Sequence, residues 1–240
     1  MEIMNSSILI TGASQGLGFA LAKELAARGG RIVLVARREA VLADAVAEIR
    51  AAGHVAHGIA ADMGDKTAIH AIAGRAAALV GDIDLLINNA STLGPTPLRL
   101  LLDTECEDLE QVLQVNVVGP FRLTKVIAGN MALRGRGTVV NISSDAAVSA
   151  YPTWGAYSAS KAALDHLTRI WAAELADTGV RFIAIDPGEM NTAMHAAAIP
   201  DADPTTLTDP RTVATRIAFL VTAGGAPPPR IAAEEIEVVR

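Results

Sequence analysis

Tyr157 and Lys161 lie four positions apart in the run Tyr157-Ser158-Ala159-Ser160-Lys161. On a helix, that spacing puts a phenol and an amine on one face. A free phenol has a pKa of about 10, too high for easy proton exchange near neutrality. A nearby ammonium favours the phenolate and lowers that pKa. A pKa closer to the working pH makes a better acid and base. The pair therefore predicts a lowered phenol pKa and proton exchange with an oxygen that alternates between carbonyl and hydroxyl. Ser143 and Ser144 directly follow the strand-like run 137–142. A hydroxyl at the carboxyl end of a strand would hold the substrate oxygen and stabilise charge developing on it.

A second chemical signal lies near the start. The run Thr11-Gly12-Ala13-Ser14-Gln15-Gly16-Leu17-Gly18 follows an apolar strand and enters a helical stretch. Its glycines permit a tight turn and close approach of a pyrophosphate. The helix start offers free N–H groups and a positive dipole end. The spacing G-x-x-x-G-x-G departs from the common G-x-G-x-x-G, so placement between strand and helix carries the reading. The next strand ends Val35-Ala36-Arg37-Arg38, with no acid before Glu39. An acid there would grip a ribose 2′-hydroxyl, whereas arginine suits a 2′-phosphate. NADP(H) is therefore expected over NAD(H), which stays possible.

Further motifs follow in order: Asp62-Met63, Asn88-Asn89-Ala90, Asn116, Asn141-Ile142-Ser143-Ser144, Tyr157 to Lys161, and Pro187-Gly188-Glu189-Met190-Asn191-Thr192. With the glycine loop, this set resembles the short-chain dehydrogenase/reductase superfamily, over about residues 7–192. The resemblance implies a catalytic triad of Ser144, Tyr157 and Lys161, with Asn116 holding a proton-relay water. Ser144 is preferred over Ser143 because the family places its serine thirteen residues before the tyrosine. Lys161 would also bond the nicotinamide ribose. The resemblance further implies that Asp62 and Met63 contact the adenine, that Asn89 and Ala90 sit beside the cofactor, and that Pro187, Gly188 and Thr192 lie along the nicotinamide. Two departures stand out. Ser91 replaces the family's usual glycine after Asn-Asn-Ala, which would alter the loop near the substrate, and the common glycine-rich C-terminal ending is missing.

These groups need a scaffold. Short apolar runs at 7–11, 31–36, 54–60, 84–87, 137–142 and 180–185 alternate with helical patterns at about 17–28, 39–52, 67–79, 106–133, 156–177 and 211–222. Strands buried on both faces imply a parallel sheet between two helical layers. The expected class is therefore α/β: a doubly wound, three-layer Rossmann sheet forming a single domain over residues 1–240. Gly119-Pro120 should kink or split the long helix it falls in. A short seventh strand is expected near 236–239, and residues 189–210 read as a loop-like lid over the substrate. The lid holds Met190, Met194, Ile199 and Pro200, which suggests a partly apolar pocket. Its His195 is expected as a surface residue rather than a substrate contact.

Composition limits the function. At 51% hydrophobic and 19% charged residues, the chain can bury enough apolar surface to avoid disorder. A net charge of -6 with no basic cluster disfavours nucleic acid and anionic membranes as partners. No apolar run reaches the roughly 20 residues of a membrane span, and no signal peptide is read at the start. Cys106 is the one cysteine, and its acidic surroundings disfavour a reactive thiolate. A reducing, cytoplasmic setting is expected. The histidines lack metal-ligand spacing, so no metal site is assigned. The expected partner is a small-molecule carbonyl or alcohol. By the resemblance, the helices 106–133 and 156–177 would pair subunits into a homodimer or homotetramer. One rival is a catalytically silent NADP(H)-binding sensor or scaffold, which the complete Ser144, Tyr157 and Lys161 set opposes. Another is a nucleotide-sugar epimerase or dehydratase, which too few residues after the sixth strand oppose.

Overall fold

The computed structural model describes residues 2–223 and 228–238. Its strands are β1 (Ser7–Thr11), β2 (Arg31–Ala36), β3 (Ala56–Ala60), β4 (Leu85–Asn88), β5 (Gly137–Ile142), β6 (Val180–Asp186) and β7 (Arg230–Ala232). Its helices are α1 (Gly16–Ala27), α2 (Glu39–Ala51), α3 (Ala68–Val80), α4 (Cys106–Leu113), α5 (Gly119–Arg134), α6 (Gly155–Glu174), α7 (Ala193–Ala198) and α8 (Pro210–Thr222). The strands pair in parallel in the order β3-β2-β1-β4-β5-β6-β7. The order reverses between β1 and β4, which is where a doubly wound sheet opens a crevice at its carboxyl edge.

Alternation along each strand explains the unbroken apolar runs. Ile8 and Ile10 of β1 and Ile32 and Leu34 of β2 face a core with α1, α2 and α8. Leu9, Val33 and Val35 face a second core with α3 and α5. Successive side chains point to opposite faces, so a strand covered on both sides must be apolar throughout. The sheet centre also carries polar links. Asn88 Nδ2 donates to Thr124 Oγ1 at 3.0 Å and to Asn141 Oδ1 at 2.8 Å, and Asn141 Nδ2 donates to Thr168 Oγ1 at 2.8 Å. These bonds tie β4 and β5 to α5 and α6.

Two expectations need correction, whereas the helix over 106–133 is split, as Gly119-Pro120 predicts: α4 ends at Leu113, a π-helical turn covers Gln114–Val118, and α5 opens with Pro120 in its first turn. Proline lacks a donor for the preceding turn, and the extra residue of a π turn absorbs that loss. The loop-like stretch 189–210 contains α7, capped by Thr192 Oγ1, which accepts from His195 N at 3.3 Å. The stretch also closes on itself, because Asn191 N donates to Thr208 O at 3.0 Å and Thr208 N to Glu189 O at 3.1 Å. The last strand is β7 at 230–232, and residues 236–238 form no strand. Val239 lies outside the described residues.

What holds β7 is charge rather than apolar content. Arg230 Nε donates to Asp165 Oδ2 at 2.9 Å, and its Nη2 donates at 3.1 Å to both Asp186 Oδ2 and Ser144 O. Asp165 and Asp186 are only 3% and 7% exposed, and a buried carboxylate needs a countercharge. Arg230→Ala strips that cation from both acids and is expected to lower the unfolding free energy by about 3–5 kcal/mol, read as a lower urea midpoint. A loss below about 1 kcal/mol, the level of an exposed pair, would show that the clamp adds nothing.

Candidate active site

Helix α6 carries Tyr157 and Lys161 one turn apart, and both are buried. Lys161 Nζ donates to Ile142 O at 2.7 Å, where β5 ends, and stands 5.5 Å from the Tyr157 ring centre. Burial pulls the ammonium down to about 8, opposed by Asp165 one turn further along. The lowered phenol pKa expected for Tyr157 is not found. Burial pushes it up to about 12, and the charges of Asp145 and Asp186 push the same way. The hydroxyls of Ser144 and Ser91 pull it back only in part. Desolvation of a phenolate outweighs an ammonium that is turned toward the Ile142 carbonyl.

Ser144 stands just past β5, as expected, but its hydroxyl is engaged. Its Oγ lies 2.9 Å from Asp145 Oδ1. A carboxylate only accepts, so the serine can donate to Asp145, while the same hydroxyl also lies within hydrogen-bond reach of the Tyr157 phenol. Tyr151 donates to the other oxygen, Asp145 Oδ2, at 2.8 Å. Sequence reasoning missed Asp145 and Tyr151; the signal available was an acid directly following the candidate serine. The neighbouring Ser143 is buried, and its backbone N–H is bonded to Ile185 O.

Asn116 lies in the π turn and is buried. Its Oδ1 accepts from Thr92 N at 2.8 Å, and its Nδ2 donates to Thr92 O at 2.8 Å and Ser160 Oγ at 2.9 Å. Both amide protons are thus used. Within the side chain, the second lone pair of Oδ1 is left for the relay water that the resemblance implied.

The carboxyl edge of β1, β2 and β4 opens into a cleft of about 920 Å³. Gly12, Ser14, Gln15, Gly16, Leu17, Arg37, Arg38, Asp62, Met63, Asn89 and Ala90 line it, and Tyr157, Lys161, Pro187 and Thr192 close its far end. Gly18 lies behind the loop, where a Cβ would strike Gly12 O and Asn89 Nδ2. Gly12, at φ +64°, is also pressed, with a Cβ there standing 2.8 Å from Ala90 Cα. Asn89 Nδ2 donates to Thr11 O and Gly12 O at 3.0 Å, tying β4 to the loop. Helix α1 starts without a side-chain cap and without an acid in its first turn, which leaves its N–H groups for an anion. Arg37 and Arg38 are exposed at the rim, and Arg38 Nη2 donates to Gln15 Oε1 at 2.5 Å. An uncapped helix start, a glycine-floored loop and two guanidiniums fit a phosphorylated dinucleotide.

A second cavity of about 250 Å³ adjoins the cleft. The two share Ser143, Tyr157, Pro187, Met190, Thr192 and Met194. Gly188 lines this second cavity and not the cleft. Leu93, Trp154, Ala198 and Ile199 make its walls mostly apolar. Asp145 and Glu189 also line it, and no Lys or Arg does. His195, expected on the surface, lines this cavity too; its side chain is 11% exposed and neither ring nitrogen makes a hydrogen bond. The placement of α7 turned it inward. Among the described residues no cluster of metal ligands occurs, and no helix is long and apolar enough to cross a membrane.

A family model for short chain dehydrogenases matches residues 6–203. A short chain dehydrogenase of Pseudocercospora fijiensis is 36% identical over 200 residues, which is 81% of this chain and 63% of that relative, so the match spans under two thirds of its length. Among solved structures, a metagenomic short-chain oxidoreductase in complex with NADP is similar at a TM-score of 0.83 and 30% identity, covering 97% of this chain and 98% of that one. An NAD+-bound xylitol dehydrogenase is similar at a TM-score of 0.83 and 28% identity, covering 93% and 94%.

The buried ammonium generates a stability prediction. Its pKa in the folded chain, about 8, lies below the ordinary 10.5, so the unfolded chain binds more protons between those values and stability rises with pH across that window. Below pH 8 the cost of burying the charge is fully present. Lys161→Met removes that cost and is expected to raise the thermal midpoint at pH 7, by up to about 3 kcal/mol of stability. The gain should shrink between pH 8 and 10.5. A difference that does not change with pH across this range would show that the ammonium is not held at a cost.

Proposed function

The chain belongs to the short-chain dehydrogenase family, and on that premise we propose that it is an NADP(H)-dependent oxidoreductase acting on a carbonyl or alcohol carbon of a small molecule. The observation that carries this reading is the phenol of Tyr157 standing where the dinucleotide-sized cleft meets the smaller apolar cavity. When bound, the nicotinamide supplies or accepts the hydride. Tyr157 donates its proton to the carbonyl oxygen in reduction and removes it from the alcohol in oxidation. Lys161 holds the far end of the cleft and bonds the ribose. Asn116 fixes the helix and loop on either side, and Ser144 lies beside the phenol. Gly12 to Gly18 receive the pyrophosphate at the start of α1. Asp62 and Met63 flank the adenine, while Asn89, Ala90, Pro187, Gly188 and Thr192 line the path to the nicotinamide.

Arg37 and Arg38 favour NADP(H), because the rim offers a 2′-phosphate two forks and a ribose diol no acid. The NADP complex of one similar structure supports this reading, and the NAD+ complex of another keeps NAD(H) possible. The substrate is compact, has an apolar body and carries no carboxylate near the reacting carbon, because Asp145 and Glu189 would repel one and no Lys or Arg among the described residues lines the cavity to bind it. Residues 189–210 act as its lid within one catalytic domain. A homodimer or homotetramer is proposed through α5 and α6, where Phe121 and Ile170 are 38% and 39% exposed; a monomer in light scattering would end that part.

NADPH oxidation against a panel of uncharged ketones, aldehydes and diketones tests the reading. Tyr157→Phe is expected to cut turnover by about 100-fold or more with NADPH binding intact. Retained turnover would remove Tyr157 from the chemistry. Arg37→Ala with Arg38→Ala should weaken NADPH binding about tenfold or more while leaving NADH nearly unchanged; equal loss for both cofactors would refute the 2′-phosphate reading. With the phenol at about 12 and Lys161 at about 8, the reductive rate should stay flat from about pH 5.5 to 7, where both groups are protonated, and the oxidative rate should climb with pH. A reductive rate that falls across this range would show a far lower phenol pKa.

A further inference from the structure

Resting on the oxidoreductase reading, we propose that Arg230 is a positioning residue for the reaction: from behind the site it fixes the backbone that carries the Ser144 hydroxyl and, by sharing the Asp165 carboxylate, sets the charge balance around Lys161.

Arg230 lies outside residues 6–203, the span of the family match, yet its guanidinium reaches two parts of the site. Nη2 donates to Ser144 O at 3.1 Å. The last strand thus holds the serine's backbone, while the serine hydroxyl stays within reach of the Tyr157 phenol. Nε donates to Asp165 Oδ2 at 2.9 Å, and Asp165 stands one turn beyond Lys161 on α6. At that spacing the two share a helix face, and the carboxylate supports the charged lysine against burial. The other oxygen of Asp165 is buried with no hydrogen-bond partner. Among the described residues Arg230 is the one cation bonded to this acid. The guanidinium and the Lys161 ammonium therefore draw on a single carboxylate.

The other charges around α6 leave Arg230 alone in this role. From the end of β6 comes Asp186, whose Oδ2 accepts from the same guanidinium at 3.1 Å. From the turn after β5 comes Asp145, exposed and bonded to Ser144 and Tyr151. From α4 comes Asp108, which lines a small hollow beside Tyr157. The π turn contributes no charge, and His166 and Arg169 of α6 are exposed. Arg230 is 20% exposed and Asp165 4%, so solvent screens their interaction little. Removing the guanidinium leaves Asp165 to Lys161, and the ammonium keeps its proton to higher pH. Removing the Asp165 charge does the reverse. Arg230 itself exchanges no proton and lines neither cavity.

The test follows NADPH oxidation by the full chain with 2,3-butanedione, or the carbonyl of the panel above that the wild type reduces fastest, from about pH 6 to 10. The wild-type rate should fall as Lys161 loses its proton, near pH 8. Arg230→Gln should move that alkaline limb up by about half a pH unit or more, and Asp165→Asn should move it down by about as much. Arg230→Gln should also lower kcat on the acid side about three- to tenfold, through the slackened Ser144 backbone. Arg230→Lys keeps the charge but not the fork, so it should restore the limb and restore kcat only in part. In the cofactor-free chain, the pH at which the Lys161→Met gain in thermal midpoint begins to shrink should rise with Arg230→Gln, a readout independent of turnover. Thermal midpoints show whether each variant is folded. If Arg230→Gln is not, Arg230→Gln with Asp165→Asn takes its place, since losing both charges is milder than stranding one; its limb should lie above that of Asp165→Asn alone. A rate that drops equally at every pH, with the limb unmoved, would leave Arg230 a structural clamp only and overturn this inference. A wild type that reduces no carbonyl overturns the oxidoreductase reading and this inference with it.

Discussion

The site depends on the placement of one amide. Asn116 binds the loop after β4 through both backbone groups of Thr92 and binds α6 through Ser160 Oγ. Ser160 passes the tie on, donating to Tyr157 O at 2.6 Å. A single buried side chain therefore sets the distance between the loop that carries Ser91 and the helix that carries Tyr157. Its reach depends on the π turn at Gln114–Val118. In an uninterrupted α-helix the extra residue would be absent, and every later side chain would rotate by about 100° relative to the sheet. Pro120, which cannot continue a regular ladder from the preceding turn, makes that interruption inexpensive.

Around this frame the electrostatics trade stability for chemistry. Lys161 and Tyr157 are both drawn toward neutrality by burial. The same dry surroundings strengthen any hydrogen bond made to a substrate oxygen. The acids are handled by position. Asp165 and Asp186 share the Arg230 guanidinium and can stay buried. Asp145 is exposed and needs no cation, holding two hydroxyl groups instead. Because Asp145 sits beside the phenol and raises its pKa, the site favours the protonated form, the one required for delivering a proton to a carbonyl.

Much of this was legible from residues alone, for identifiable reasons. A strand buried on both faces must be apolar throughout, so β1, β2 and β5 could be bounded within a residue. The glycine loop could be placed because a strand ends and a helix begins around it. Tyr157 and Lys161 could be paired because helical spacing is local. What failed was non-local. The strand 230–232 is chosen by buried acids 44 and 65 positions away in the chain, not by its own short and half-buried sequence, so the more apolar stretch 236–239 drew the expectation instead. The phenol's pKa went the wrong way because spacing reveals the ammonium but not the depth of burial. His195 was read as a surface residue because nothing in sequence announces that a six-residue helix will turn it inward. Asp145 was overlooked because its importance lies in the hydroxyl groups it holds.

Arg230 joins these threads, since its guanidinium also bonds Ser144 O. The carbonyl it holds precedes Asp145, and Asp186 precedes Pro187, which lines both cavities, and Gly188, which lines the smaller one. The end of the chain thus braces the floor of the site from behind at two points. By contrast, the segment 189–208 is closed on itself through backbone bonds between its own ends, and packs on the buried clusters through Met190 and Ala198. Cross-tied floor and self-contained lid have different consequences for change. Lid residues other than Met190 and Ala198 can be replaced without disturbing the buried charges, so the shape of the substrate cavity can vary while the geometry of Tyr157 and Lys161 stays fixed.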